Sequence, residues 1–507
     1  MKRYLFLWHR WLGIVLCLFM AMWFVSGVVM MYVGYPKLTP REHLAHLPPL
    51  ALVGCCIDLA QAQASAGYDH PPNSIRLTSL RNEPYFVLGY AGAADAIIHA
   101  RSGERVGTIT AAQALQAAQQ FSPGVAQQAQ GLVEEDVWTH SRGLDADRPL
   151  YRVQLDDAEQ RLLYISSHSG AVVRDATANE RMWNWVGAWI HWLYPLRGNW
   201  LQPIWHNTVV YLSLAATLMA LLGMWLGILR WRGKRRYRNG SHSPYSGMAR
   251  WHHVVGLGAG GLLVCWIFSG LMSMNPWSIF SRVAPLDTSA YAGGALNAAA
   301  FAQTPAQSLR RLQASGFTPV EMTWRRVAGE PVVVAQNAGG SIRVVVGDGA
   351  VRSSLPPTLL EQAAESLWPA GQAHKQWLNS YDFYYYARSE HSMLGHLDKP
   401  LPVLRVTFDD AAQTWLHIDP RSGEILSQAG SGRRLSRVLF SLLHSWDWLP
   451  LLQSRPLWDL LMIVFSIGGV LISLTGTVMG WRRLRHKASR RRGRVLLKPG
   501  GALNKDH

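Results

Sequence analysis

The sequence predicts a membrane protein in which a four-helix transmembrane bundle, built from two parallel internal repeats, carries two extracytoplasmic α+β domains. Three observations lead to this fold class. Four apolar runs are each long enough to cross a bilayer, which takes about 20 residues. Basic residues are concentrated in the short segments beside these runs. The same pattern of histidine, glycine, proline and tryptophan occurs twice along the 507 residues.

The apolar runs set the expected domain boundaries. They lie at 5–33, 205–229, 253–275 and 457–481, with long polar segments after the first and the third. In chain order we expect a transmembrane helix (1–35), a polar domain (36–180), an interfacial helix with the second transmembrane helix (181–229), a basic loop (230–250), a third transmembrane helix (251–277), a second polar domain (278–435), an interfacial helix with the fourth transmembrane helix (436–481) and a basic tail (482–507).

The first apolar run follows Met1-Lys2-Arg3, as the apolar core of a secretory signal peptide would. However, the run is too long for a signal, contains Trp23, and has no convincing small-residue cleavage site after it. It also resembles the third run, which lies in mid-chain. We therefore predict a membrane anchor.

The distribution of charge predicts the orientation of the chain. The loop 230–250 has seven Lys and Arg and no acid, and the tail 481–507 has ten and one acid. These two segments account for almost all of the net charge of +17. Lys and Arg in short flanks retain those flanks in the cytoplasm. We therefore place both termini and the loop in the cytoplasm and both polar domains on the other side. Orientation explains the charge, so no nucleic-acid partner is predicted.

The internal repeat extends over most of the chain and defines the two halves. At an offset of 243, residues 8–13 (WHRWLG) align with 251–256 (WHHVVG), and Ser26-Gly27 aligns with Ser269-Gly270. At an offset of 253, residues 190–210 align with 443–463. The second alignment pairs His191 with His444, Pro203 with Pro456, Trp205 with Trp458, Gly223 with Gly476 and Gly227 with Gly480. Both copies begin on the same side of the membrane, which makes the repeats parallel.

The polar domains have the patterns of antiparallel α+β modules, and we expect two modules in each. Alternating apolar residues at 151–155 and 404–408 predict strands, and the periodicity of 111–121 and 359–368 predicts short helices. Two of the four cysteines, Cys17 and Cys265, lie in spans. The adjacent Cys55 and Cys56 allow a vicinal disulfide, but the sequence favours two ordinary thiols.

Four histidines at equivalent positions predict a cofactor. His9 and His252 begin the first and third spans, and His191 and His444 precede the second and fourth. A neutral imidazole is a good axial ligand for haem iron, and two imidazoles from facing helices hold a b-type haem. The chain has no Cys-x-x-Cys-His motif for covalent attachment. We therefore predict two haem b groups, with these four histidines as ligands to the haem iron.

Small and basic residues near these histidines are further cofactor-binding candidates. Gly13, Gly256, Gly27 and Gly270 lie on the same helical faces as the histidines and leave room for a flat macrocycle, although glycine also serves ordinary helix packing. The glycine-rich residues 256–261 lie inside a span, so we interpret them as packing and not as a nucleotide loop. Arg10 is placed to pair with a haem propionate or to extend towards the membrane surface.

Two histidines break the symmetry of the repeat. His206 aligns with Asp459, and His253 aligns with Arg10. We interpret both as interfacial groups or as supports of the ligands, with a role as alternative ligands left open.

These residues resemble a known family. His-Arg-Trp-Leu-Gly and the later Ser-Gly of the first span, together with residues 397–426 (LDKPLPVLRVTFDDAAQTWLHIDPRSGEIL) and 434–462, are similar to the PepSY-associated transmembrane family. Members include ferric-siderophore reductases of the bacterial inner membrane, which look like four-span di-haem proteins with periplasmic PepSY modules. The resemblance implies the same membrane, periplasmic PepSY-like domains, and haem ligation by His9, His191, His252 and His444.

The function predicted is electron transfer across the membrane, from a haem at His9 and His252 to one at His191 and His444, and on to a periplasmic acceptor. A ferric siderophore or similar chelate is the expected acceptor, with Tyr384, Arg388, His391 and His140 as candidates for its site. The sequence has no convincing flavin or nucleotide motif, so the donor is expected to be a soluble cytoplasmic reductase or quinol. Two alternatives stay open: a non-enzymatic PepSY scaffold that regulates a periplasmic protease or senses a ligand, and a transporter of haem or a metal chelate.

Overall fold

The chain forms two compact units. The structure, a computed structural model, describes residues 2–280, 286–368, 371–393 and 395–496, and the side chains of these except Lys2 and residues 490–496. The helical unit comprises Met1–Met31, Val186–Ile279 and Ser436–His507. The sheet unit comprises Tyr32–Trp185 and Phe280–Leu435.

Four long helices form the helical unit. The first, second, third and fourth long helices are Lys2–Met30, Gln202–Arg230, Gly247–Ser273 and Leu457–Leu496. Each is long and apolar enough to cross a membrane, which confirms the four predicted spans. The fourth helix continues well past the predicted end at residue 481. Its basic extension is rich in Arg, a good helix former, and contains no proline before Pro499.

The long helices pack in a ring. The first and third each contact the second and fourth, so the first and third lie across the bundle from each other. Side chains such as Leu16, Met20, Leu263 and Trp266 fill the interior and are nearly inaccessible to solvent. This arrangement lets side chains of the first and third helices meet at the centre of the bundle.

Short helices connect these elements. The α-helices are Pro40–Ala45, Leu59–Ala66, Ala111–Phe121, Ala178–Val186, Ala188–His191, Ser289–Ala292, Pro305–Ala314, Pro357–Glu365, Ser431–Ser436, Leu443–Ser445 and Leu449–Leu452. The 3-10 helices are Arg142–Asp147, Tyr194–Leu196, Pro276–Ser278 and Ala298–Ala300, and a π-helix spans Arg437–Leu442. The helix predicted at 111–121 is confirmed, and Thr110 and Gln113 form a capping box at its start.

Three antiparallel sheets form the rest of the sheet unit. Their strands are β1 (Ser74–Leu80), β2 (Glu83–Gly89), β3 (Ala96–His99), β4 (Arg105–Val106), β5 (Gln127–Val133), β6 (Leu150–Leu155), β7 (Leu162–Ser166), β8 (Val172–Ala176), β9 (Glu321–Val327), β10 (Glu330–Gln336), β11 (Ile342–Val346), β12 (Val351–Arg352), β13 (Ala373–Leu378), β14 (Val403–Phe408), β15 (Trp415–Asp419) and β16 (Glu424–Ala429). The sheet orders are β12-β11-β10-β9-β1-β2-β3-β4, β5-β6-β7-β8 and β13-β14-β15-β16.

The eight-stranded sheet joins the two polar segments, which the sequence analysis treated as separate domains. β1 pairs with β9, with Ile75 opposite Trp324 and Leu77 opposite Met322. All four side chains are almost completely buried. An unpaired apolar edge strand is a site of association, and each fully buried side chain of this size contributes about 1.5–3 kcal/mol. Pairing the two edges with each other removes both exposed edges.

Cys55 and Cys56 differ from the expectation. The sequence analysis favoured two thiols, but the structure joins these adjacent residues in a vicinal disulfide. Both lie in the loop before Leu59–Ala66 and pack against the core of the eight-stranded sheet. That expectation was therefore wrong.

Asp175 on β8 makes the stability of the sheet unit depend on pH. Burial, reinforced by the carboxylates of Glu42 and Glu180, raises the pKa of Asp175 to about 7. In an unfolded chain the pKa is about 3.9. The folded state therefore loses stability as the pH rises between these values. We expect Asp175→Asn to stabilise the protein by on the order of 2 kcal/mol at pH 8 and much less at pH 4.5. Tryptophan fluorescence during thermal unfolding at pH 8 and at pH 4.5 measures the stability of the variant and of the unaltered protein. Equal stabilisation by Asp175→Asn at the two pH values would contradict this account.

Candidate functional site

The structure brings the four equivalent histidines together as two facing pairs in the helical unit. In the first histidine pair, His9 of the first long helix faces His252 of the third, with ring centroids 6.3 Å apart. In the second histidine pair, His191 faces His444, with ring centroids 6.2 Å apart. His191 ends a short helix that packs on the first long helix, and His444 lies on one that packs on the third.

The separation of the rings fits a single metal ion between them. A bond between a metal and an imidazole nitrogen is about 2.0 Å long. Two imidazoles on opposite sides of one ion therefore have ring centroids about 6 Å apart. Both pairs have this spacing. Ring pairs that only pack against each other also occur at 4.5–7 Å, so the spacing becomes an argument for a metal ion through its recurrence at equivalent positions of the repeat.

Hydrogen bonds set the tautomer of the first histidine pair. His9 Nδ1 donates to the carbonyl oxygen of Met219 over 3.1 Å, since a carbonyl can only accept. His252 Nδ1 lies 3.1 Å from the carbonyl of Ile472 and 3.0 Å from Thr475 Oγ1. In both rings the proton therefore lies on Nδ1, which leaves Nε2 as the nitrogen with a lone pair for a metal.

The second histidine pair has the same tautomer, set by two serines. His191 Nδ1 lies 2.9 Å from Ser26 Oγ, and His444 Nδ1 lies 3.0 Å from Ser269 Oγ. Each hydroxyl donates its own hydrogen to a backbone carbonyl of its helix, so its oxygen accepts from the histidine. Such contacts to the nitrogen that does not bind the metal are typical of metal-binding histidines.

Two equivalent glycines lie against the rings of the first histidine pair. A Cβ atom at Gly223 would lie 2.7 Å from His9 Cε1. A Cβ atom at Gly476 would lie 2.6 Å from Cys17 Sγ and 3.5 Å from His252 Cε1. These glycines are equivalent in the repeat, and each comes from the helix that also accepts the Nδ1 hydrogen bond. The second and fourth helices thus hold the two rings in the same way.

The four glycines predicted to line a cofactor site have different surroundings. A Cβ at Gly27 or Gly270 would make ordinary contact with His191 or His444, at 3.7 and 3.8 Å. A Cβ at Gly256 would meet open space within 4 Å, and one at Gly13 would contact Cys17 and Met219. Gly27 and Gly270 therefore lie against the rings of the second histidine pair, whereas no contact links Gly13 or Gly256 to a histidine ring.

A repeated turn fixes the short helices that carry the second histidine pair. Two residues after each histidine, Leu193 (φ 53°) and Trp446 (φ 46°) adopt a left-handed backbone, which is rare for such large residues. Trp205 Nε1 donates to the carbonyl of Trp192 over 2.7 Å, and Trp458 Nε1 donates to that of Ser445 over 3.0 Å. Strained backbone that recurs at equivalent positions is consistent with a functional requirement.

The other candidate residues of the helical unit lie outside the two pairs. His253 has both ring nitrogens engaged, Nδ1 with Ser243 Oγ at 2.7 Å and Nε2 with the carbonyl of Gly227 at 2.9 Å. It therefore ties the basic loop to the second and third helices. His206 is exposed on the second helix. Arg10 is partly buried and has no ion-pair partner among the residues that the structure describes.

The residues suggested for an acceptor site lie in the sheet unit. His140 is 4% exposed, and its Nδ1 contacts Glu135 at 2.6 Å, so it is not accessible from solvent. Tyr384 is exposed, and Arg388 and His391 are partly buried in the same loop. Asp382 anchors this loop by binding Arg405 through both carboxylate oxygens. The buried tyrosine of the loop, Tyr385, stacks on His417 at 4.7 Å and has a structural role.

Ser26 and Ser269 are the serines that the sequence analysis aligned without giving them a role. If the second histidine pair holds the haem that the sequence predicts, we expect Ser269→Ala to weaken retention of that haem about 10- to 100-fold, the usual effect of losing such a contact. Ser26→Ala should have the same effect. The rate of haem release to apomyoglobin, followed by absorbance, measures this loss of retention. The control is Ser273→Ala, which removes a serine of the same helix whose hydroxyl donates to the carbonyl of Gly270. Equal release from all three variants would show that the contacts to histidine are unimportant.

Comparison with known families matches residues 6–369 to the family described as PepSY-associated TM region. The match includes the first three long helices and three of the four histidines of the two pairs. No curated protein has significant sequence similarity to the chain.

Proposed function

The chain belongs to the PepSY-associated TM family, and from this premise we propose that it is a transmembrane electron-transfer protein that binds two haem b groups and reduces a ferric chelate. The observation that carries the proposal is the pair of facing histidines that occurs twice, with rings 6.3 and 6.2 Å apart. When bound, haem supplies a one-electron change between ferric and ferrous iron.

The residues of the chain have defined parts in this proposal. His9 and His252 would bind one haem iron, and His191 and His444 the other. Met219, Ile472, Thr475 and the two serines orient the rings and keep the proton on Nδ1. The buried side chains of the bundle exclude water from the space between the pairs. On the first helix, His9 and Ser26 are 17 residues apart, which is about 25 Å along the axis.

We further infer that the chain is an internal duplication in a bacterial inner membrane, with both termini in the cytoplasm and the sheet unit in the periplasm. The aligned histidines, glycines and tryptophans support the duplication. The eight-stranded sheet also supports it, because its strand order is mirrored about the β1–β9 pair. The basic flanks of the spans support the orientation.

The substrate we propose is a ferric siderophore or a similar ferric chelate. The resemblance to siderophore reductases supports this choice. Reduction would release the metal because hard oxygen ligands bind Fe³⁺ more strongly than Fe²⁺. Tyr384, Arg388 and His391 offer aromatic and basic groups to an anionic chelate, and they are our candidates for its contacts in the sheet unit.

Absorption spectroscopy of the purified protein tests the proposal. We expect haem b bands that sharpen on reduction with dithionite and two haems per chain by pyridine haemochromogen assay. Anaerobic addition of ferrioxamine B to the reduced protein should reoxidise the haem and yield Fe²⁺, which ferrozine traps. A colourless protein, prepared with full haem supply, would favour a scaffold. Substoichiometric haem that exchanges readily would favour a transporter.

A further inference from the structure

A long groove runs over the surface of the helical unit between the first and second long helices. Its volume is about 890 Å³, within the range of sites for small organic ligands. Tyr4, Trp8 and Trp11 line it beside His9, while Ile204, Asn207 and Tyr211 line it on the second helix. Trp205, next to Ile204, bonds the segment that carries His191. The groove thus extends from the level of the first histidine pair to that of the second.

The end of the groove near the second histidine pair has exposed polar side chains within a candidate membrane span. Asn207, Thr208 and Tyr211 have no hydrogen-bond partner among the residues that the structure describes, and Asn207 and Tyr211 are exposed. An amide or hydroxyl in hydrocarbon without a partner costs free energy. A ligand with hydrogen-bonding oxygens would remove this cost.

The other half of the protein provides an internal comparison. The residues equivalent to Asn207, Thr208 and Tyr211 are Leu460, Leu461 and Val464. Leu460 and Val464 are also exposed on their helix. The same surface is therefore apolar in one half and polar in the other, so the polar groups are not a requirement of the shared fold.

From these observations we propose that the groove binds an isoprenoid quinone, with its ring at Asn207, Thr208 and Tyr211 and its tail along the groove. The groove extends from the level of His9, which contacts Met219, to Ile204, which is 15 residues from Met219 on the second helix, or about 22 Å. One leaflet provides only about 15 Å of hydrocarbon. The length of the groove therefore favours a polyisoprenoid tail over one phospholipid acyl chain. No charged residue occurs among the described residues that line it, so its polar end fits a neutral ring better than a phosphate.

The choice of a redox lipid, and not another neutral polyisoprenoid, rests on the proposed function. Oxidation of one quinol to the quinone breaks two O–H bonds and releases two protons to water. The two electrons would reduce two ferric haem irons. The site would deliver electrons beside the second histidine pair, whereas a cytoplasmic reductase would deliver them at the first.

Quinone binding to the full-length protein tests the proposal. Purified protein is loaded with ubiquinone-10 in detergent, washed, extracted and analysed by mass spectrometry, with quenching of tryptophan fluorescence as a second measure. A triple variant replaces the polar residues by their equivalents from the other half: Asn207→Leu, Thr208→Leu and Tyr211→Val. It should bind ubiquinone-10 about tenfold more weakly or worse. Ubiquinone-1, whose tail is short, should bind much more weakly than ubiquinone-10. The matched control is Leu460→Ala on the fourth helix, which should bind ubiquinone-10 as the unaltered protein does.

Two outcomes would overturn the inference: retention of phospholipid in place of quinone, or equal quinone binding by the triple variant. Haem content is measured in the same preparations. Quinone binding without haem would leave the site standing and refute the proposed function. Haem at two per chain without quinone binding would refute the site alone.

Discussion

Replacing His9 by alanine should remove one of the two proposed haems, and replacing His252 should remove the same one. Either change leaves a single imidazole where two face each other 6.3 Å apart. His191→Ala and His444→Ala should each remove the other haem. Each variant should retain about one haem per chain, and the reduced spectrum of the remaining haem should be identical within a pair and different between pairs. Haemochromogen assays measure the haem content, and absorbance during a redox titration gives the spectrum of the remaining haem.

The control for these variants is His253→Ala. His253 is adjacent to His252 and buried, but both of its ring nitrogens are engaged by Ser243 and Gly227. We expect this variant to keep two haems, even if its stability falls. Loss of a haem on changing His253 or His206, with retention after His9→Ala, would contradict the assignment of the first histidine pair.

The sequence predicts the long helices well because the constraint on them is local. A run of about 20 apolar residues has few alternatives to a membrane span, and the short helix at 111–121 is specified by its own capping residues. The equivalence of His9 with His252 and of His191 with His444 was also visible, because the repeat needs no three-dimensional information. The structure adds that these equivalent residues face each other.

The supports of the histidines could not be predicted because they depend on distant contacts. Ser26 and His191 are 165 residues apart, and Ser269 and His444 are 175 apart. The alignment marked these serines only as part of a motif. The pairing of β1 with β9 was not predicted for a similar reason, since only tertiary packing selects the partner of an edge strand.

The glycines of the second and fourth helices give the other large expected effect. Glycine in a membrane helix usually means close packing between helices, so the repeat alignment paired Gly223 with Gly476 without indicating a role at the histidines. In the structure a Cβ at Gly223 would collide with the ring of His9, and one at Gly476 would collide with Cys17 and contact the ring of His252. We expect Gly223→Leu and Gly476→Leu each to abolish haem binding at the first histidine pair and to leave the second pair loaded.

Gly258→Leu separates this effect from a general intolerance of large residues in the bundle. Gly258 lies on the third helix, six residues after His252, and a Cβ there would meet nothing within 4 Å. This variant should keep two haems per chain. Gly223→Leu and Gly476→Leu should each retain about one haem per chain, with the same spectrum as the His9→Ala variant. If Gly223→Leu keeps two haems while His9→Ala loses one, the ring of His9 must bind iron from a position other than the one in the structure. Since Met219, which accepts its Nδ1 hydrogen bond, lies one turn from Gly223, such a displacement would also break the contact that sets its tautomer.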